Sequence, residues 1–284
     1  MRVREWVWLG VAAAVVFGAP PVFAQWINYP SAGVPRTPDG KVNLTAPVPR
    51  TREGKPDFSG IWLTAAGAEC LPGTPSGQAQ GFIECGIELP FPREGFSLGS
   101  GLPGGLPYRP EAAAAVKKQI AENSRSDPHA RCLPDTFVRT YSLPHLTKYV
   151  QAPGLLVTLN EVNAMYRQIF LDGRPLPEDP TPAWNGYSSA TWDGDTLVIE
   201  SIGFRDGLWI DMSGSMISSA ARVRERLRRP NYGNLEIEIS VDDPKTYTKP
   251  WTVTLKHRIV VDTELIDEIC LENEKSVERM LKTP

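Results

Sequence analysis

The chain has 284 residues, of which 41% are hydrophobic and 22% are charged, and its formal net charge is -3. This balance argues against a nucleic-acid-binding protein, which carries an excess of basic residues on one face. With 24 glycines and 27 prolines, the chain is expected to be rich in turns and poor in long helices.

The first segment, residues 1–24, has the features of an export signal. Arg2 and Arg4 give it a positive start, an uncharged apolar stretch follows, and Ala24 supplies a small residue before a cleavage point. The apolar stretch is shorter than the about 20 residues that span a bilayer, and no later segment has the pattern of a span. The sequence therefore predicts a periplasmic or secreted protein without an integral membrane segment.

Export changes the expected role of the four cysteines, because disulfides persist in oxidising compartments. Four cysteines allow three pairings. Cys70 and Cys85 share a loop rich in glycine and proline, which a bond between them would close locally. A bond between Cys132 and Cys270 would close a loop of roughly 140 residues. We expect structural disulfides rather than a reactive thiol.

Residues 25–110 form a segment rich in proline and glycine, in which residues 58–64 have the pattern of a strand. Proline cannot donate to a β-ladder and glycine weakens a strand interior, so the rest is predicted to be irregular. We interpret this segment as an arm and long loops that wrap over a body formed by residues 111–284. Pro110 suits the first position of a helix, and the alanine-rich residues 111–123 predict one helix there.

From Lys148 onward the apolar residues recur with a period of two, which is typical of β-strands. The predicted strands are residues 149–160 (interrupted at Pro153), 164–171, 187–192, 196–202, 209–212, 222–228, 235–241, 251–261 and 264–271. Short turns rich in Asp, Asn and Gly separate them. Such a series predicts a mainly β protein in which an antiparallel meander closes into a calycin-like barrel, because closure removes exposed strand edges. A β-sandwich is the alternative.

Several long motifs lie in the middle of the body. They include WNGYS at 184–188, WDGDTLVIE at 192–200, GF at 203–204 and DDPKTYTKPW at 242–251. These motifs resemble a family of exported bacterial proteins with no established activity, and the likeness covers roughly residues 56–274. The early strand around Trp62, followed by a meander, is similar to the lipocalin and calycin pattern. Where the exported family has a histidine and then an acidic residue, this sequence has Ile217 and Ser219. A reaction that needed that histidine would be lost or changed here.

Two ionisable residues are predicted to lie on apolar strand faces. Glu225 shares its face with Val223 and Leu227, and His257 shares its face with Ile259. If both faces line one barrel interior, burial and mutual charge would shift both pKa values, as acid–base catalysis requires. The alternatives are that Glu225 pairs with a buried arginine and that His257 is a hydrogen-bonded core residue.

Further candidates cluster around the motifs. Asp211 is a candidate acid or a residue that caps a turn, and Tyr187 is a candidate for orienting a substrate. Arg167 is a candidate for holding an anionic group, with an ordinary surface arginine as the alternative. The candidate ligand-binding residues are Tyr166, Arg167, Trp184, Trp192 and Trp209, because aromatic side chains suit an apolar or aromatic ligand and equally suit the packing of a barrel end.

The sequence favours an exported protein that binds a small apolar or aromatic ligand in a barrel pocket. One alternative is an acid–base enzyme of the same architecture (a lyase, isomerase or hydrolase) that uses Asp211, Glu225, His257 and Tyr187. Another is an envelope module whose arm binds a second protein. We predict no metal centre, no cofactor and no nucleic-acid partner, and the sequence leaves the oligomeric state open.

Overall fold

The computed structural model describes residues 29–65 and 97–272, and within these ranges the protein is mainly β. Helix α1 spans Pro110–Ala121 and helix α2 spans Phe137–Thr140, while short 3-10 helices lie at Leu98–Gly101 and Pro128–Arg131. The strands are β1 (Gly60–Ala65), β2 (Thr147–Ala152), β3 (Leu155–Asn160), β4 (Tyr166–Phe170), β5 (Tyr187–Asp193), β6 (Thr196–Ile202), β7 (Leu208–Trp209), β8 (Met216–Ile217), β9 (Arg222–Asn231), β10 (Asn234–Asp242) and β11 (Trp251–Val260). The predicted helix near 111–123 is confirmed, with its end two residues earlier.

The sheet is a closed barrel in the order β1-β11-β10-β9-β6-β5-β4-β3-β2, and β2 pairs back with β1. This closure confirms the predicted β-barrel and replaces the β-sandwich alternative. Neighbouring strands are antiparallel except for β4 and β5, which are parallel. The barrel is therefore mixed rather than wholly antiparallel, and the parallel junction has the fewest register pairs of its strand pairings.

The strands β9, β10 and β11 show why this sequence forms a barrel. Successive side chains of a strand point to opposite faces, and in β10 the apolar residues Leu235, Ile237 and Ile239 are fully buried. The glutamates between them face outward, where Glu236 pairs with Arg228 on the neighbouring strand at 2.5 Å. Each fully buried aliphatic side chain contributes about 1.5–3 kcal/mol, so the inward face drives the folding of this sheet.

Two predicted strands are wrong. Residues 264–271 form no strand and contribute only an isolated bridge at Glu268, because the pairing of β1 with β11 closes the barrel and leaves no edge for another strand. Residues 209–212 do not join the barrel either. Strand β7 ends at Trp209 and pairs only with β8, since Asp211 holds the following residues in a turn.

A disulfide joins Cys132 to Cys270 across a sequence separation of 138 residues. This confirms one of the pairings that the sequence allowed, although Cys270 lies in a turn and not in the predicted last strand. Cys70 and Cys85 lie outside the described residues, as does the predicted export signal. Neither helix in the part of the chain that the structure describes is long and apolar enough to cross a lipid bilayer.

Residues 29–59 of the N-terminal arm lie against the turns at one end of the barrel. Arg50 forms an ion pair with Asp195 at 2.7 Å, and Gly233 N donates a hydrogen bond to the Leu44 carbonyl at 2.8 Å. At the opposite end, all four residues of α2 are buried. The two ends are thus covered by different segments, and an opening between β4 and β5 lies in the wall of the barrel.

Candidate functional site

The opening follows from the short pairing of β4 with β5. These strands share only two register pairs, Ile169 with Ser188 and Phe170 with Ser189, whereas β2 and β3 share six. Beyond Ile169 the strands diverge toward the start of β4, and a cleft of about 420 Å³ lies between them. The residues that line it are Tyr166, Arg167, Gln168, Phe170, Ala183, Trp184, Asn185, Gly186, Tyr187 and Ser188.

Aromatic side chains form much of the cleft. Tyr166 is 63% exposed, while Phe170, Trp184 and Tyr187 are half-buried. The rings of Phe170 and Tyr187 stack with their centroids 5.2 Å apart. The structure therefore brings together Tyr166, Trp184 and Tyr187, all of which are candidates in the sequence analysis. Offset stacking on such rings favours a planar, aromatic ligand.

The WNGYS motif shapes this wall. The Asn185 amide donates to the Tyr166 carbonyl at 3.2 Å and accepts from Phe137 N at 2.8 Å, so its side chain replaces ladder bonds that the diverging strands cannot make. Gly186 has a φ of 60°, and an added Cβ would lie 2.5 Å from the Ile202 carbonyl oxygen. Only glycine fits there without displacing backbone, which accounts for the order of residues in this motif.

The floor of the cleft is the buried guanidinium of Arg167, which is 3% exposed. Its Nε donates to Ser188 Oγ at 3.1 Å, its Nη1 donates to Tyr141 Oη at 3.0 Å and Glu225 Oε1 at 3.2 Å, and its Nη2 donates to Ser201 Oγ at 2.9 Å and to Glu225 Oε2. These bonds use all five guanidinium N–H groups. Arg167 is therefore an interior residue with no free donor for a ligand anion, and not a surface arginine.

Glu225 is fully buried and forms the other half of this ion pair. The Arg167 guanidinium also lies 3.4 Å from the centre of the Phe137 ring, which belongs to α2. Burial, together with the negative charge of Glu225, raises the pKa of the Tyr141 phenol well above its usual value. At neutral pH the network is thus an arginine–glutamate pair bound by neutral hydroxyl groups, with no net charge.

His257 lies deeper in the barrel, 2% exposed, and does not contact Glu225. Its Nε2 lies 2.8 Å from the Tyr141 carbonyl oxygen, which can only accept, so Nε2 carries the proton. Burial lowers the pKa of His257 to about 4. The imidazole is therefore neutral at pH 7, and its Nδ1 is a buried acceptor without a partner among the described residues.

We expect stability to fall on acidification because of His257. Below the usual histidine pKa of 6.5 the unfolded chain binds a proton that the native state takes up only near pH 4. The free energy of unfolding should therefore decrease by about 3 kcal/mol between pH 6.5 and pH 4 from this residue. His257→Gln keeps a hydrogen-bond donor toward the Tyr141 carbonyl. In urea unfolding measured at several pH values, this variant should lack the decrease in the free energy of unfolding that is due to His257. Parallel pH curves for the two proteins would contradict the assignment.

Asp211 lies away from the cleft and is fully buried. Its carboxylate accepts three backbone N–H bonds, from Leu98, Ser213 and Ser215, and two more from the hydroxyls of Ser213 and Ser215. Burial raises the pKa of Asp211 despite these bonds. The geometry is that of a residue that fixes a turn, which was the alternative to its role as a candidate acid.

We predict that Asp211→Asn destabilises the protein by about 1–3 kcal/mol. The amide NH2 would face donors that now meet a carboxylate oxygen, and at least one of them would lose its acceptor. Urea unfolding measures the loss. Asp206→Asn is the matched control, since Asp206 is exposed and its hydrogen bonds come from the backbone and side chain of Ser219, and it should leave the transition nearly unchanged. Normal stability with lost function in Asp211→Asn would contradict the structural role.

The other two tryptophans among the predicted ligand-binding residues, Trp192 and Trp209, lie outside the cleft between β4 and β5. Trp192 stacks on Phe58 with centroids 5.9 Å apart, has Lys55 Nζ 5.5 Å from its ring, and lines a second cleft of about 550 Å³ at the end of the barrel that the arm covers. Trp209 is buried with Arg139 over its ring at 5.9 Å. Neither tryptophan lines the cleft between β4 and β5.

Sequence reasoning missed Tyr141, Ser188 and Ser201. Ser201 continues the inward face of Leu197 and Ile199, and a small hydroxyl on an apolar face is a signal for a buried polar partner. Tyr141 follows a helix of only four residues and carries no pattern of its own. Its position depends on contacts that are distant in the chain.

The described ranges contain no group of three or more His, Cys, Asp or Glu residues placed to hold a metal ion. The chain matches no known family model, no curated protein and no solved structure.

Proposed function

We propose that this protein is exported and binds a small aromatic ligand in the cleft between β4 and β5. The observation that carries the proposal is the grouping of four aromatic side chains around an opening of about 420 Å³ in the barrel wall. Such a volume suits a molecule of one or two rings, and partly exposed aromatic walls with a few fixed polar groups are typical of small-molecule sites.

The wall is a better site than the centre of the barrel. Phe137, Tyr141 and Tyr149 fill interior positions and are at most 3% exposed. Tyr141 is fixed there by Arg167, so a ligand at the centre would have to break the buried network. In the wall cleft, a ligand would contact Tyr166 and Trp184 without disturbing it.

Export is supported by features of the sequence and of the fold. The residues before Gln25 have the pattern of a cleaved signal, and the bond between Cys132 and Cys270 is of a kind that persists in oxidising compartments. The motifs that resemble the exported bacterial family point the same way. A periplasmic or secreted location would also give the protein access to small molecules from outside the cell.

The experiment is native mass spectrometry of protein purified from the periplasm, followed by calorimetric titration with the molecule that is released. Tyr166→Ala should weaken binding about tenfold, because it removes the most exposed ring of the cleft. Tyr29→Ala is the matched control, since Tyr29 is 55% exposed and lies outside the cleft. Equal binding by the two variants would overturn the proposal.

An acid–base enzyme is the second candidate, and the observation that favours it is His257 Nδ1, a neutral base in the barrel interior that has no partner in residues 29–65 and 97–272. Against it, Glu225 is committed to Arg167 and Asp211 to its turn. Turnover of a bound ligand that His257→Gln abolishes without loss of binding would favour the enzyme. The envelope-module alternative stays a prediction, since much of the long loop lies outside the described residues.

A further inference from the structure

We propose that the ligand of the cleft is an aromatic anion, such as an arylacetic or aromatic carboxylic acid. This inference rests on the proposed function and adds the charge of the ligand to it. It is carried by Arg205, which lies beside the aromatic wall, and by the absence of acidic residues among the side chains that line the cleft.

Two of the arginines are already neutralised. Arg167 is paired with Glu225 beneath the cleft. Arg174 lies over the Phe170 ring at 3.9 Å and is paired with Asp172 at 2.6 Å. Each pair has no net charge, so neither by itself gives the cleft a preference for anions.

Arg205 is different. It is exposed, its guanidinium carbon lies 5.4 Å from the centre of the Trp184 ring, and it forms no ion pair with any residue in the described ranges. Its backbone N donates to the Ala183 carbonyl at 3.2 Å, which fixes it beside the cleft wall. One uncompensated positive charge therefore lies next to an aromatic surface.

An aromatic ring and a carboxylate on one small molecule match this arrangement. The ring would stack on Trp184 and Tyr166, and the carboxylate would face Arg205, whose planar guanidinium can bind it through two parallel N–H bonds. Gln168, which also lines the cleft, offers a further amide donor.

The test compares matched acids and amides, which have nearly the same shape and differ in charge. The probes are phenylacetate with phenylacetamide and indole-3-acetate with indole-3-acetamide, measured by calorimetry on the full mature protein. We expect each acid to bind about tenfold more tightly than its amide. Arg205→Gln should abolish this preference and Arg205→Lys should retain much of it. Arg224→Gln, which removes an equal charge from the outer face of β9, should leave it unchanged.

The outcomes separate this inference from the function on which it rests. Equal affinity for acid and amide, with both lost in Tyr166→Ala, would overturn the anion and retain the aromatic ligand. A preference for acids that survives Arg205→Gln would overturn the role of Arg205. Failure of all four probes to bind at millimolar concentration would overturn both proposals.

Discussion

Replacement of Arg167 by methionine should lower the free energy of unfolding by about 3–5 kcal/mol. The guanidinium binds Glu225 twice in the barrel interior, and both side chains are at most 2% exposed. Methionine fills similar space but leaves Glu225 as a buried, unpaired carboxylate. Urea unfolding of the purified variant, followed by circular dichroism, measures the loss.

A second variant separates the broken ion pair from a general loss of packing. Arg167→Met combined with Glu225→Met removes both charges, and an apolar pair of similar volume often restores most of the stability. Arg228→Met is the surface control: its partner Glu236 is paired at 2.5 Å, but both side chains are partly exposed, so the loss should stay below about 1 kcal/mol. A double variant no more stable than Arg167→Met would contradict this account.

Removal of the disulfide should cost about 4–5 kcal/mol in the chain-entropy model. The bond between Cys132 and Cys270 closes a long loop, with a sequence separation of 138 residues, that contains most of the barrel strands. The double variant Cys132→Ala, Cys270→Ala therefore raises the conformational entropy of the unfolded chain more than that of the native protein. Thermal and urea unfolding under oxidising conditions measure the difference from the wild type.

Other native contacts near the disulfide should keep the C-terminal segment in place when the bond is removed. Glu161 Oε1 accepts from Ile266 N at 3.2 Å, and Asn163 N donates to the Glu268 carbonyl at 2.7 Å, so the C-terminal segment keeps other attachments to the barrel. The double variant should therefore fold to the same structure. A loss below about 1 kcal/mol would contradict the expected restriction of the unfolded chain.

Local patterns were sufficient to predict the barrel because they reflect local physics. Alternation in β9 and β10 predicted which side chains face inward, and Pro153 with Gly154 marked the turn between β2 and β3. The same patterns failed where distant contacts decide the outcome. Residues 264–271 have a plausible pattern, but barrel closure leaves them no partner.

The candidate site shows the same division. The aromatic residues of the WNGYS motif were visible in the sequence, and Glu225 was identified on an apolar face. Its partner Arg167 lies 58 residues away, and only the assembled barrel brings the two together. The cleft itself depends on the parallel junction of β4 and β5, for which neither strand carries a local signal.

The junction of β4 and β5 also bears on how the surface of the cleft can change in evolution. Closure there depends on hydrogen bonds made by Arg167 and Asn185, while the exposed ring of Tyr166 takes no part in that network. Substitutions of the exposed Tyr166 can accumulate at little cost in stability, whereas Trp184 also packs against the core. Natural or engineered substitutions at the exposed part of the β4–β5 junction can therefore change the surface of the cleft with little loss of stability.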